Sequence, residues 1–346
     1  MLNKIKNKIE ASMSDYVDSL DAKYGLRSIS PVLSDRIKEY LKRGGKRVRS
    51  LLFVLSYLGY SKRPGAGIYK SALALELLHN FMLIHDDIID RSSLRRGKPA
   101  MHTLLDRHLR PYKNLKFTGS DLGIVIADVI YAMAIDAFLE IKESQANKEA
   151  ALRKFVEAAI FTGSGEFVEM LAGAKTIELI TLKEIYKIYD LKTAHYTFCS
   201  PLSVGAILAG APKKQISTLI EYGLNVGRAF QINDDILDMF AAPAQTGKSS
   251  LTDIKESKKT VLIWHAYRKT NPRMRKIMQG IFDNPDVSAR DLEVMRRIVS
   301  SSGSLDFAKS QIKMLLSQAE RLSRDLTMKP GFRKLLCSYP STILKA

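Results

Sequence analysis

Cysteine is nearly missing: 346 residues contain only Cys199 and Cys337. Two thiols cannot build a disulfide framework, and the expectation is a reducing, intracellular, cytoplasmic setting. Glycine, at 20, and proline, at 11, both fall below the roughly 7% and 5% of average usage, so turns are few and elements long. No uninterrupted apolar run approaches the roughly 18 residues of a membrane span. The longest, near 124–139 and 202–211, are broken by Asp128 and Asp136 or are too short. The segment from Met1 to Glu10 has three lysines but no apolar centre, which excludes a secretory signal there. Acid is also in deficit, 36 Asp and Glu against 54 Lys and Arg, for a net charge of +18. That excess points to nucleic acid, an anionic membrane surface or a polyanionic substrate, without choosing among them.

What is there is apolar periodicity. Hydrophobic residues make up 46% and charged residues 26%, enough for a core and incompatible with disorder as the main state. Leu2, Ile5, Ile9, Met13 and Val17 recur at spacings of three and four, one face of an amphipathic helix. Segments 31–42, 49–59, 68–91, 121–142, 146–172, 181–210, 214–240, 259–280 and 290–326 read the same way, and alternating strand patterns are scarce. No break between them is long enough for an interdomain linker. The expectation is one all-α domain, residues 1–346, of about ten or more helices.

One pentapeptide pattern occurs twice inside such helices, "DDIID" at 86–90 and "DDILD" at 234–238. A helix turns 100° per residue, so Asp86 and Asp90 share a face, as do Asp234 and Asp238, each pair about 6 Å apart along the axis. The flanks are apolar (Ile84, Ile88 and Ile89; Ile232, Ile236 and Leu237). Carboxylates projecting from otherwise buried helices are costly unless something neutralises them. A hard divalent cation such as Mg²⁺, held by carboxylates and substrate phosphates, does that. Basic residues complete the pattern: Lys46 and Arg49 in "GGKRVR", Arg95 and Arg96 in "RRGKP", Lys192 before Thr193, and the Lys-rich stretch 247–260. Acid pairs with metal and converging Lys and Arg suit a diphosphate. Nucleic acid would not need the acid clusters, and no nucleic-acid-binding signature is present.

With "GGKRVR", "ELLHNFMLIHDDIID", "RRGKPAMH", "KTAHYTF", "GRAFQINDDILD" and the spaced "GK…D…K.T" in this order, the chain from about Gly44 to Thr260 resembles the trans-isoprenyl diphosphate synthases, the polyprenyl synthetase family. The resemblance implies an antiparallel helix bundle around a deep cavity, normally a homodimer, with its two aspartate motifs facing each other. It implies a Mg²⁺-dependent transferase, several ions per active site, that condenses isopentenyl diphosphate with allylic diphosphates by ionisation, condensation and elimination. Lys46, Arg49, His79 and Arg96 match its isopentenyl diphosphate contacts. Arg95, Lys192, Lys248 and Lys258 match allylic diphosphate contacts. Thr193 and Gln231 match positions beside the reacting carbon, where with Lys192 they serve catalysis. Asp86 and Asp90 match metal ligands supported by Asp87, and Asp234, with Asp235 and Asp238, forms the second set. Phe81, with Met82 and Leu78, matches the positions that limit product length, here to the twenty-carbon geranylgeranyl diphosphate. On the helical wheel, however, Phe81 points about 140° from Asp86.

The chain departs from the family pattern in places. The usual GQxxD reads "GEFVE", with Glu166 and Glu169; the usual Gly-Asp after the first motif reads Ala127–Asp128; Leu251 and Ser257 stand where glycines are common. A farnesyl or longer-chain synthase and a non-catalytic partner subunit remain alternatives, although such subunits commonly lose one aspartate motif. A terpene cyclase is disfavoured by "DDILD". "APAQTGKS" at 242–249 imitates a phosphate-binding loop, but a helical pattern precedes it where a strand is required. The basic surface leaves peripheral contact with an anionic membrane as a further expectation.

Overall fold

The computed structural model describes residues 1–63, 65, 67–241 and 252–344. The expected Lys248, Leu251 and the segment 242–249 lie outside the described residues. Among the described residues the architecture is all-α apart from one two-stranded hairpin. The chain divides into two compact units, one of residues 1–152 and 204–210, the other of 153–203 and 211–346.

In the first unit, α1 (Leu2–Tyr24) buries Ile5, Ile9, Met13, Val17 and Leu20, the face its spacing predicts. After the single turn α2 (Leu26–Ile29), α3 (Pro31–Leu41) starts from Ser30, whose side chain accepts the Leu33 N–H, with Pro31 in its first turn. α4 (Val48–Tyr60) and α6 (Leu73–Ile89), with the single turn α5 (Ile68–Ser71) between them, are the core helices, with Leu52–Leu55 and Leu73–Leu78 almost wholly buried. The hairpin pairs Leu94 with Pro99 and Arg95 with Lys98. Its turn residues, Arg96 and Gly97, have φ of 57° and 70°, the pattern of a tight hairpin turn whose backbone twist matches the strands. α7 (Met101–Leu109) follows, absent from the periodic segments, and then α8 (Gly119–Leu139).

α8 is the helix that the periodicity of 121–142 predicts, and Asp128 and Asp136 interrupt its apolar run. It is 21 residues long and contains an 18-residue window with a mean hydropathy of 2.1, long and apolar enough by composition to cross a membrane. Asp128 and Asp136 do not divide it, because both sit on a continuous helix. It lies against α6 and α7. Asp136 accepts from Lys23 and Tyr24 at 2.5 and 2.6 Å, so that acid is tied to α1.

In the second unit, α9 (Gln145–Gly173) contributes its later residues, followed by α10 (Leu182–Tyr189) and a π-helical segment (Asp190–Cys199); of α11 (Ser200–Leu208) only residues 200–203 count to this unit, the rest to the first. The sequence pattern reads 181–210 as one regular helix. A π-helical stretch is rare and is frequently found at functional sites. α12 (Lys213–Phe240) runs against the π segment and against a long helix at Ser304–Arg324. The expected helix 259–280 is two, Val261–Lys269 and Pro272–Phe282, the second capped by the Asn271 side chain. The expected 290–326 breaks at Gly303, whose φ is 71°. A terminal helix, Pro330–Ile343, was not foreseen. Ile185, Ile188, Ala229, Ile232, Val261, Leu262, Met295 and Leu315 belong to the core of this unit.

Candidate active site

In the first unit the predicted residues gather around the end of α6 and the loop before α4. Asp86 and Asp90 each offer a carboxylate oxygen, and these lie within 4.8 Å of one another. The expected supporting residue Asp87 is turned inward and wholly buried. Arg95 donates to it through Nε at 2.6 Å and to Asp86 through Nη2 at 2.8 Å. The Tyr40 hydroxyl lies 3.5 Å from the other Asp87 oxygen. Burial and then Asp87 push the Tyr40 phenol up, so it stays protonated as a donor.

Arg96 goes elsewhere although it is the next residue. Its turn backbone sends the guanidinium to the Arg43 carbonyl at 3.0 Å, and it lies so close to Gly45 that a Cβ there would be 3.2 Å from Nη2. The hairpin therefore separates the two arginines: Arg95 serves the aspartate end, Arg96 the "GGKRVR" loop. Lys46 is exposed in that loop, and Arg49 is half-buried in the first turn of α4. Burial, and then the charges of Arg49, Arg96, Arg95 and Arg47, hold the His79 imidazole well below its ordinary value, so it is neutral at pH 7.

Arg47 escaped the sequence reading. It is 4% exposed, has a φ of 52°, and donates to Glu76 at 2.8 Å and to Glu10 at 2.9 Å. Ser50 completes Glu76 at 2.6 Å. This buried ion pair anchors the loop that carries Lys46. Phe81 is half-buried, stacked on Tyr131 of α8 at 4.7 Å between centroids and edge-on to His85 at 4.9 Å. Met82 is half-buried and Leu78 buried. Asp128, one of the departures, lies 3.4 Å from His85 Nε2.

In the second unit Asp234 and Asp238 are half-buried on α12. Asp235, expected in the metal set, is instead turned inward like Asp87: it is 5% exposed, accepts from Gln231 Nε2 at 2.9 Å, and accepts the Tyr189 hydroxyl. Tyr189 in turn accepts the Val261 N–H at 3.0 Å. Gln231 accepts from the Thr193 hydroxyl at 2.6 Å. Thr193 and Lys192 stand on the π segment, and Lys192 is paired with both departures, Glu166 at 2.7 Å and Glu169 at 2.5 Å. Lys258 pairs with Glu256 at 2.8 Å. No sequence signal marked Tyr189, which reads as one more core aromatic.

Both motifs thus share an inner Asp fastened by hydrogen bonds (Asp87, Asp235), beside outer acids of which Asp86, Asp234 and Asp238 are half-buried and Asp90 is buried. All-oxygen, carboxylate-only donors fit a hard divalent ion such as Mg²⁺.

The chain is similar to known proteins along most of its length. The family model of the polyprenyl synthetases matches residues 30–299. A short chain isoprenyl diphosphate synthase from Methanocaldococcus jannaschii is 30% identical over 305 residues, covering 88% of this chain and 84% of that one. A geranylfarnesyl diphosphate synthase from Aeropyrum pernix is 33% identical, covering 84% and 87%. Among solved structures, a geranylgeranyl pyrophosphate synthase from Corynebacterium glutamicum, complexed with isoprenyl diphosphate and magnesium, has a TM-score of 0.88 at 23% identity, covering 100% and 99%, a likeness of fold.

Proposed function

The chain belongs to the polyprenyl synthetase family and is a prenyltransferase, and from that premise we propose that it condenses isopentenyl diphosphate with allylic diphosphates and stops at geranylgeranyl diphosphate. The observation that carries the reading is the doubled aspartate motif, with an inner Asp tied into each unit (Asp87 to Arg95, Asp235 to Tyr189 and Gln231) and half-buried outer acids Asp86, Asp234 and Asp238 beside buried Asp90. The family match runs through both units, which supports one catalytic domain over the whole chain.

In this reading Asp86, Asp90, Asp234 and Asp238 hold Mg²⁺, which when bound neutralises the charge of the leaving diphosphate. Arg95, Lys192, Lys248 and Lys258 bind the allylic diphosphate, and Lys46, Arg49, Arg96 and neutral His79 bind isopentenyl diphosphate. The allylic C–O bond breaks with its electron pair leaving on the diphosphate, and the Arg and Lys donors stabilise that charge. The carbonyl end of the Gln231 amide and the Thr193 oxygen face the resulting cation as dipoles. The isopentenyl double bond attacks it, and a proton then departs to the released diphosphate. Neither step needs a protein nucleophile.

A homodimer is part of the proposal. Ile160, Phe167, Met170 and Leu171 of α9 are all more than half exposed, an apolar patch of the kind that a second copy covers. The two free cysteines suit a cytoplasmic setting. The test is incubation of the purified protein with labelled isopentenyl diphosphate, each allylic primer and Mg²⁺, with the products dephosphorylated and sized. A twenty-carbon alcohol is expected. Fifteen or twenty-five carbons would overturn only the length, and no incorporation with any primer would overturn the activity.

A further inference from the structure

We infer that Glu166 is a positioning residue that loosens the hold on the allylic diphosphate by competing with it for Lys192. The inference rests on the proposed role of Lys192 as a contact to that diphosphate.

Glu166 and Glu169 are three residues apart on α9 and so share a face. Both carboxylates reach the same ammonium, at 2.7 and 2.5 Å. The three side chains are only 15%, 18% and 19% exposed, so their attraction is less screened than that of a surface pair. Taken by themselves, these three groups sum to a charge of −1 beside the contact proposed for a polyanion. A single carboxylate would balance Lys192; the second makes the grip acidic.

The backbone keeps Lys192 at this spot. A Cβ on Gly165 would stand 2.6 Å from the Lys192 amide nitrogen and 2.9 Å from Leu191 Cβ. α9 and the π segment therefore touch main chain to main chain beside Glu166. On α12, a Cβ on Gly227 would stand 2.4 Å from Ala194 Cβ. The segment is packed at contact distance against both helices. Rotation of the four-carbon side chain is therefore the motion that moves the ammonium from carboxylates to diphosphate without disturbing that packing, at the cost of its contacts with the two acids.

Steady-state kinetics of the full-length enzyme test this, varying each substrate at saturating partner and Mg²⁺, with inorganic diphosphate as a competing probe. Glu166→Gln keeps the shape and removes the charge. It is expected to lower KM for the allylic diphosphate, and the inhibition constant of inorganic diphosphate, by about threefold to tenfold, the range one partly screened charge accounts for. KM for isopentenyl diphosphate should stay within about twofold, a split that a general loss of structure would not produce. In a Lys192→Met background the effect of Glu166→Gln should vanish, because the two act through one contact. An unchanged or higher allylic KM in folded Glu166→Gln, with Lys192→Met raising it, overturns the inference alone. An allylic KM unmoved by Lys192→Met overturns the role of Lys192 and the inference with it. Should Glu166→Gln not fold, Glu169→Gln removes the other charge of the same pair, and an unchanged allylic KM there overturns the competition.

Discussion

Thr193 and Gln231 stand 38 residues apart in sequence, and the hydroxyl of the first donates to Oε1 of the second at 2.6 Å. The other end of the amide donates to buried Asp235, which also accepts from Tyr189, and Tyr189 accepts the N–H of Val261. Gln231 is thereby fixed as to which end is oxygen, a requirement for presenting a negative dipole to a cation. Tyr189→Phe removes one partner of a buried carboxylate and the acceptor of a buried N–H. The expected loss is about 1–3 kcal/mol of stability, read as a lower denaturant midpoint. A midpoint equal to wild type would show that the network does not hold the unit together.

The inner and outer acids of each motif should separate experimentally. Asp86→Ala and Asp234→Ala are expected to keep the melting temperature within a few degrees and to lose about 10²–10³ in rate, the usual effect of removing one electrostatic stabiliser. Asp87→Ala leaves Arg95 buried without that partner, and is expected to cost about 3–5 kcal/mol in stability. The check is thermal melting beside turnover for the three variants. Equal melting losses in Asp86→Ala and Asp87→Ala would refute the division.

The two adjacent arginines serve different ends of the first unit, Arg95 on Asp86 and Asp87, Arg96 on the Arg43 carbonyl beside Gly45. Arg96→Ala is expected to raise KM mainly for isopentenyl diphosphate, and Arg95→Ala mainly for the allylic substrate. Each shift should be about tenfold or more, the size of a lost charge-assisted contact. Two variants with the same KM changes for both substrates would reject the assignment.

Lys259 supplies a pH test. Burial lowers its amine to about 8, while the unfolded chain keeps the ordinary 10.5. The unfolded state therefore binds more protons between pH 8 and 10.5, and stability rises with pH across that window. Below the folded value the penalty is complete, about 3 kcal/mol at 1.36 kcal/mol per unit. Lys259→Met should melt higher than wild type at pH 7, with the gap closing toward pH 10.5. A gap that does not change with pH would exclude this titration.

Much of this was legible in the sequence, for reasons that also explain what was not. The acid pairs could be placed on one face because four residues make nearly one helical turn, and their apolar flanks showed that the helices were buried. The same arithmetic could not tell that Asp87 and Asp235 point inward, since that depends on Tyr40, Arg95 and Tyr189 arriving from other elements. Arg47 is set by a left-handed backbone and by Glu10, 37 residues away. The π segment keeps apolar residues at helix-like spacing, so nothing in the pattern signals its extra width. Met101–Leu109 was missed because it buries only Met101 and Leu105, too few positions for a period to emerge. The terminal helix, with Pro340 inside it, was missed for a similar reason.

Product length turns on a tension between wheel geometry and packing. Phe81 points well away from Asp86 on α6, and the structure shows where it goes: onto Tyr131 of α8, as a stacked pair at 4.7 Å. A floor made of Phe81 would then be a two-ring floor, with Tyr131 as its second layer. If that pair stops the growing chain, Phe81→Ala opens the first layer and Phe81→Ala with Tyr131→Ala opens both, so products should lengthen in two steps of one or more five-carbon units. Met82 and Leu78 lie nearer the Asp86 direction by the same arithmetic, within about 80°, and Leu78 is fully buried. Should Phe81 be packing alone, Phe81→Ala would cost about 3–5 kcal/mol at most and leave the length unchanged, whereas Met82→Ala or Leu78→Ala would extend it. Chromatography of the dephosphorylated products from the four variants, beside their melting temperatures, decides between the two. Unchanged length in folded Phe81→Ala and in the double variant would move the stop to Met82 and Leu78.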